Sequence, residues 1–247
     1  MKPHPKQAAT PAVWITIICI LVVVSAIGWW AQRPVTMITP TAAPAEKKIQ
    51  LILANGETVD LSGQEHKILQ SPDATIYISA KGITYSPKGI GVTSWNTLQV
   101  PEGKTYSLIL ADGTNVLMNG KTTIRFKFVN AGRNKQLFID GEAYFRLVPG
   151  DTTLLTVHTP VTDITASGAD FLINSYDREH VRTILVSGAV TVTDQRTTVN
   201  LKPGTEAVYN ADDDFSVKTV NLQEVMSWTK KTQAGNELSQ HISTLNP

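Results

Sequence analysis

Hydrophobic and polar positions follow two different rhythms along this chain. From Ala12 to Ala31 twenty residues, AVWITIICILVVVSAIGWWA, carry no formal charge. As a helix that run is about 30 Å long, the thickness of a bilayer's hydrocarbon core, and Trp29 and Trp30 stand at its downstream end, where amphipathic rings favour the headgroup interface. The pattern predicts a membrane-spanning helix over 12–31, with a short cytoplasmic tail at 1–11 and the bulk of the chain exported. The alternative is a cleaved secretory signal, for which Ala26 and Gly28 offer small residues, although the apolar run exceeds the ~7–15 residues of a signal core. Three prolines among small residues between Arg33 and Pro44 then predict an extended linker, taken as 32–48.

Beyond the linker the apolar positions alternate in short bursts. Thr123 to Val129 (TIRFKFV) sets Ile124, Phe126 and Phe128 on one face and Arg125 and Lys127 on the other, the period-two signature of a half-buried strand. Similar stretches occur at 76–79, 82–85, 136–139, 143–148, 154–158, 163–166, 171–175, 181–186, 189–193, 197–201, 206–209 and 216–220. Asp-Gly, Ser-Gly and Pro-Gly pairs punctuate them at 140–141, 167–168, 187–188, 149–150 and 203–204. Pro203-Gly204 suits a type II turn. Helix is expected at one place only: Asn221 to Lys231, capped by Asn221 and offering Leu222, Val225, Met226 and Trp228 as a face. The tail over 229–247 is polar and expected to be flexible.

A repeat stands out. LILANGETVDLSG (51–63) and LILADGTNVLMNG (108–120) match at seven of thirteen positions, 57 residues apart. Each reads as a strand, an Asn-Gly or Asp-Gly turn and a second strand, and these dipeptides predict two-residue type I′ hairpins. In the second copy Leu108, Leu110, Val116 and Met118 can share a buried face. The expected fold over 49–228 is all-β: an elongated antiparallel domain, two-lobed or solenoid-like, behind one N-terminal transmembrane helix.

Composition supports this. Thr, Val and Ile supply 72 of the 247 residues, and β-branched side chains fit pleated surfaces better than helices. The whole chain carries 22 Lys and Arg against 21 Asp and Glu; three of the bases precede Glu46, so the exported part holds 19 bases against the same 21 acids. That balance excludes a basic nucleic-acid-binding surface as the main business of the protein. The single cysteine, Cys19, lies inside the apolar run, which leaves no disulfide framework and no thiolate metal site.

Candidate chemistry is sparse. His4, His66, His158, His180 and His241 show none of the close spacings that place two imidazoles on one metal. His158 lies in a strand-like pattern, TVHT, and is expected to be a structural histidine. Asp140 and Glu142 flank Gly141 in DGEAYF and could be drawn as a general acid–base pair, but a turn acid followed by a strand glutamate is the simpler reading. Asp212, Asp213 and Asp214 form an acidic triplet that fits a solvated hairpin tip better than a calcium loop. Trp95 and Tyr106 would serve a glycan-binding surface if exposed; core packing is expected for both. Catalytic residues, cofactors and metals are therefore predicted to be none, no enzyme is expected, and no partner-binding residue is singled out.

Seven pieces in order carry a family resemblance: VPEGKTYSLILADGTNVLMNG (100–120), TTIRF (122–126), LFIDGEAYFRLV (137–148), TVHTPVTDITASGADFLINSY (156–176), ILVSGAVTVT (184–193), LKPGTEAVY (201–209) and VNLQEVMSW (220–228). The exported part resembles that of FecR-family transmembrane regulators, the anti-sigma factors of cell-surface signalling. The resemblance implies a single-pass protein of the Gram-negative inner membrane, N-terminus cytoplasmic and β domain periplasmic. It further implies a TonB-dependent outer-membrane transducer as partner and an extracytoplasmic-function sigma factor as the target of the relay. Two departures are visible. Glu102 stands where family members carry Arg, and Gly168-Ala169 where they carry Gly-Thr. Family members also hold a folded sigma-factor-binding region ahead of the anchor, where this sequence offers Met1 to Pro11. The alternative is accordingly a stand-alone periplasmic β module, a truncated paralogue binding a protein or glycan without sigma-factor control.

Overall fold

In the computed structural model of the chain, the described residues are 47–63, 66–89, 93–129, 135–194, 196–211 and 215–230. The tail expected over 1–11, the anchor expected over 12–31 and the linker expected over 32–48 up to residue 46, with Cys19 and His4, lie outside them, as do the acidic triplet at 212–214, His241 and the residues after 230. No helix among the described residues is long and apolar enough to cross a membrane.

Period-two alternation becomes strand almost throughout. The strands are β1 (Gln50–Ile52), β2 (Thr58–Asp60), β3 (Lys67–Gln70), β4 (Ala74–Ile78), β5 (Gly82–Pro87), β6 (Asn96–Val100), β7 (Tyr106–Ile109), β8 (Asn115–Met118) and β9 (Thr122–Phe126). They continue with β10 (Lys135–Asp140), β11 (Glu142–Arg146), β12 (Leu155–His158), β13 (Asp163–Asn174), β14 (Arg182–Thr193), β15 (Thr198–Asn200), β16 (Thr205–Val208) and β17 (Ser216–Thr219). The all-β expectation holds. The sequence pattern misses β3 and β6, although NTLQV in β6 alternates cleanly, with Leu98 and Val100 buried.

Strand pairing builds two sheets that share two strands. One runs β2-β1-β6-β9-β10-β12 and ends on the first half of β13, the second half of β14 and β15. The other runs β3-β4-β5-β7-β8-β11 and ends on the second half of β13, the first half of β14, then β16 and β17. The pairs β10–β12 and β5–β7 are parallel and the rest antiparallel. We call these sheets A and B.

Their inner faces meet in one core. Leu51, Leu98, Ile124 and Val157 come from sheet A, and Ile76, Leu108, Val116 and Phe145 from sheet B; all are fully buried. Phe145 and Phe171 face each other across β11 and β13 and stack with centroids 4.8 Å apart. Each such side chain removed from water is worth about 2 kcal/mol. The alternation of TIRFKFV is borne out beyond the strand's own end: Ile124, Phe126 and Phe128 are buried while Arg125 is exposed.

The long β13–β14 hairpin belongs to both sheets because it bends midway. Ser167-Gly168 and Ser187-Gly188 were expected to separate strands; they lie inside β13 and β14 instead. The register shifts there, between Ser167 and Phe171, so the pair is bulged rather than broken. Gly188 has φ +84°, and a Cβ at that position would stand 2.6 Å from the Ala169 Cα. The strand can turn from one sheet into the other because no side chain occupies that contact.

The two repeat hairpins correct a second expectation. Leu53 donates its N–H to Glu57 O and Gly56 donates to Leu53 O; in the second copy Leu110 donates to Thr114 O and Gly113 to Leu110 O. Each loop therefore has three residues, a type I turn followed by a left-handed glycine, with φ +86° at Gly56 and +92° at Gly113. Asn55 and Asp112 keep negative φ. Their side-chain oxygens accept the N–H two residues on, from Glu57 and Thr114, which holds the turn open by one residue. The hairpins sit in different sheets against the same core, and Leu108, Leu110, Val116 and Met118 are buried as expected.

The predicted helix appears as two single turns, α1 (Leu222–Val225) and α2 (Ser227–Lys230), with Asn221 accepting the Gln223 N–H at 3.1 Å. Its expected face is used. Leu222, Val225, Met226 and Trp228 pack with Val220 over Tyr144, Leu172 and Ile184 on the outer face of sheet B. Tyr144 and Phe145 thus point to opposite faces of β11, as adjacent strand residues must.

Gly188→Ala is expected to lower unfolding stability by about 3 kcal/mol, since it adds a backbone clash to the strain of a left-handed alanine. Gly204→Ala, at φ +81° with open space around it, is expected to cost only about 1 kcal/mol. Urea denaturation of the two variants measures the difference.

Candidate functional site

The outer face of sheet A carries a row of side chains running across the strands. Register aligns Thr97, Arg125, Phe138, His158 and Asp163 on β6, β9, β10, β12 and β13. Their neighbours along each strand are buried on the opposite face, so this row faces outward by the alternation of the pleat. Trp95, next to the start of β6, joins it.

Within the row the contacts are close. Trp95 meets Phe138 edge-on with centroids 5.0 Å apart, and Phe138 stacks on the His158 imidazole at 4.7 Å. The Lys127 ammonium sits 4.4 Å from the Trp95 centroid, and the Arg125 guanidinium lies 5.6 Å from both the Trp95 and Phe138 rings. These are cation–π distances. His158 Nδ1 stands 2.7 Å from Asp163 Oδ1. Phe138 remains 38% exposed, unusual for a phenylalanine in the middle of a sheet.

The other sequence candidates are dispersed. Tyr106 is fully buried and donates its hydroxyl to Ser79 O at 2.8 Å, and burial pushes its phenol well above the ordinary range. It is a core residue, as expected. Trp95 is half-buried and belongs to the outer row, not the core, because the strand leading from it carries its parity onto the outer face. His158 is in that row too. His66 is exposed in the bend before β3, with φ +52°.

Asp140 and Glu142 each have partners of their own. Arg178 Nη2 donates to Asp140 Oδ2 at 2.9 Å, whereas Glu142 accepts from Asn119 Nδ2 at 2.6 Å and Asn174 Nδ2 at 3.0 Å. The chain passes from sheet A to sheet B at Gly141 between them, which matches the turn-and-strand reading. Asp177, Glu179 and His180 bring ligand atoms within 4.8 Å of one another in the exposed loop after β13. There Asp177 Oδ2 pairs with His180 Nδ1 at 2.9 Å and Asp177 Oδ1 accepts the Glu179 N–H. These bonds hold the Asp177 carboxyl below its usual range, the His180 contact first. His180 spacing to its own loop acids, rather than to another histidine, was the signal available in DREH.

One buried ion pair has no counterpart in the sequence reading. Lys135, at the start of β10, reaches Asp112 in the β7–β8 turn, with the two side chains only 4% and 5% exposed. Asp151 lies 4.0 Å from the same ammonium. Burial lowers the Lys135 pKa, and the Asp151 charge opposes that shift. Asp112 also accepts from Thr114 N–H and Oγ1. The pair ties the second repeat hairpin of sheet B to sheet A and is fully occupied in doing so.

Among the described residues the arrangement brings together no convergent nucleophile, base and oxyanion donors; its distinctive feature is the row of aromatic and cationic side chains on sheet A. The sequence model of one family, FecR protein, matches residues 96–191. Over that stretch the β domain is similar to the FecR family. The matched stretch runs from β6 into β14 and contains every outer-row residue except Trp95. Two crystal structures of a candidate anti-sigma factor from Parabacteroides distasonis ATCC 8503 share the fold. The first has TM-score 0.51 and 23% identity over 55% of this chain and 64% of that one. The second has TM-score 0.50 and 24% identity over 54% and 64%. The chain thus spans less than two thirds of the length of these proteins. A comparison with curated proteins finds no match.

Removing one member of the buried pair leaves an uncompensated charge, so Lys135→Met is expected to cost about 3 kcal/mol of stability. The double variant Lys135→Met with Asp112→Asn is expected to recover at least half of that, as measured by a double-mutant cycle in urea.

Proposed function

We propose that this chain is a membrane-anchored regulator of the FecR type. In this reading its β domain lies in the periplasm, receives a signal from an outer-membrane transducer, and passes it toward an extracytoplasmic-function sigma factor. The observation that carries the reading is the FecR family match across both sheets of the β domain. The apolar run over 12–31 supports an anchor in the inner membrane. A surface rich in recognition side chains, with no assembled reaction centre among the described residues, supports a relay that works by contact.

An edge strand gives that contact a physical form. Among the described residues β17 pairs only with β16. Val220 donates to Gly204 O, so by antiparallel alternation Ser216 and Lys218 spend their backbone groups on β16 while Val217 and Thr219 point theirs outward. The Val217 side chain is 51% exposed. A partner strand could pair here through main-chain hydrogen bonds and cover that valine.

Two experiments test this. Protease added to spheroplasts is expected to digest the chain beyond position 48; protection until lysis would place the β domain in the cytosol and remove the proposal. Val217→Pro deletes an outward N–H without touching a β16 bond. It is expected to leave thermal unfolding unchanged and to abolish induction of a sigma-dependent reporter. Normal induction in that variant would rule out strand addition at β17.

A further inference from the structure

The two sheets differ in what covers them. The outer face of sheet B is packed beneath Val220 to Trp228, whereas among the described residues nothing is seated on the aromatic and cationic row of sheet A. That row combines partly exposed aromatic rings with two cations, a composition that marks the energetic centre of recognition surfaces.

The two cations are the informative part. Several bases among the described residues have found an acid: Lys48, Lys121, Lys135, Arg146, Arg178 and Arg182 each lie within 4.0 Å of a carboxylate. The exported part has more acids than bases, so acids are not scarce. Yet Arg125 and Lys127 face aromatic rings, and none of the ion pairs found among the described residues includes them. Ring stacking holds both side chains in place, which reduces the entropy lost when an anion arrives. Thr97, Thr123 and Gln136 border them with uncharged hydrogen-bonding groups that repel neither sign.

Ring geometry separates the classes of anion. A sugar binds an aromatic residue by laying its ring on an open π-face. Here Lys127 and Phe138 approach Trp95, and His158, Trp95 and Arg125 approach Phe138. The ring faces are engaged within the row, while the cationic head groups remain available to carboxylates. We infer that the Arg125–Lys127 patch, framed by Trp95 and Phe138, is a docking surface for an acidic protein segment. Its carboxylates would pair with the guanidinium and the ammonium, and its apolar atoms would cover the exposed edge of Phe138. The inference goes beyond the relay proposal, because it concerns a different face from β17 and does not depend on the side of the membrane.

The test uses the purified full-length chain and three fluorescent probes: a deca-glutamate peptide, a galacturonate decasaccharide and a deca-lysine peptide. Deca-glutamate is expected to bind, with an affinity that falls as salt rises, and deca-lysine is not. Arg125→Glu with Lys127→Glu is expected to weaken deca-glutamate at least tenfold. Lys81→Glu with Lys202→Glu makes the same change of charge at exposed positions elsewhere and is expected to alter binding less than twofold. Near-ultraviolet circular dichroism of both variants checks that the fold is retained. Equal loss in the two double variants, absence of deca-glutamate binding, or tighter binding of galacturonate would each overturn the inference, the last in favour of an acidic glycan.

Discussion

The bend in the β13–β14 hairpin is the constraint on which the rest of the architecture depends. A pair of twelve-residue strands that stayed straight would belong to one sheet and leave the other without its last neighbours. Because Gly188 lets the Ala169 backbone approach where a side chain would stand, the hairpin turns and hydrogen-bonds to β12 and β15 on one side and to β11 and β16 on the other. The apolar faces of both sheets then close on one another. Burial of large side chains such as Phe126, Phe145 and Phe171 supplies the stabilisation, but the bulge decides where those side chains meet.

A two-sheet body has two outer faces, and the chain treats them differently. On sheet B, Tyr144, Leu172 and Ile184 make an apolar stripe, and the segment ending in Trp228 covers it. On sheet A the outward positions are threonine, glutamine and charged residues, with aromatic rings collected at one place. Polar alternation makes the first kind of cover unnecessary on sheet A. The concentration of Trp95, Phe138, Arg125 and Lys127 there is consequently not needed to cover an apolar stripe.

Much of this was readable from the alternation itself. TIRFKFV announced which of its residues would be buried, and the face of Leu222, Val225, Met226 and Trp228 was used as a face even though the helix broke into two turns. The turn chemistry was less transparent. Asn-Gly and Asp-Gly are compatible with two loop lengths, and the choice fell to Asn55 and Asp112, whose side chains accept backbone N–H groups two residues on. Ser-Gly was read as a strand end because a glycine that punctuates and a glycine that bulges look alike until the strand passing beside it is known. The outer row was invisible for the same reason: Arg125, Phe138 and His158 are separated along the chain and adjacent only through register.

By itself the sequence determined the β class, the inward and outward parity of strands with clean alternation such as β9, and several of the turns, those at Asn55-Gly56 and Asp112-Gly113 among them. These follow from side-chain periodicity and from local backbone preference, which neighbouring residues settle among themselves. Tertiary structure alone decided which strands pair, that one hairpin serves two sheets, that Lys135 finds Asp112, and that two cations end beside aromatic rings. Each of these rests on contacts between residues far apart in the chain, and hydrogen-bond register, not local pattern, brings them together.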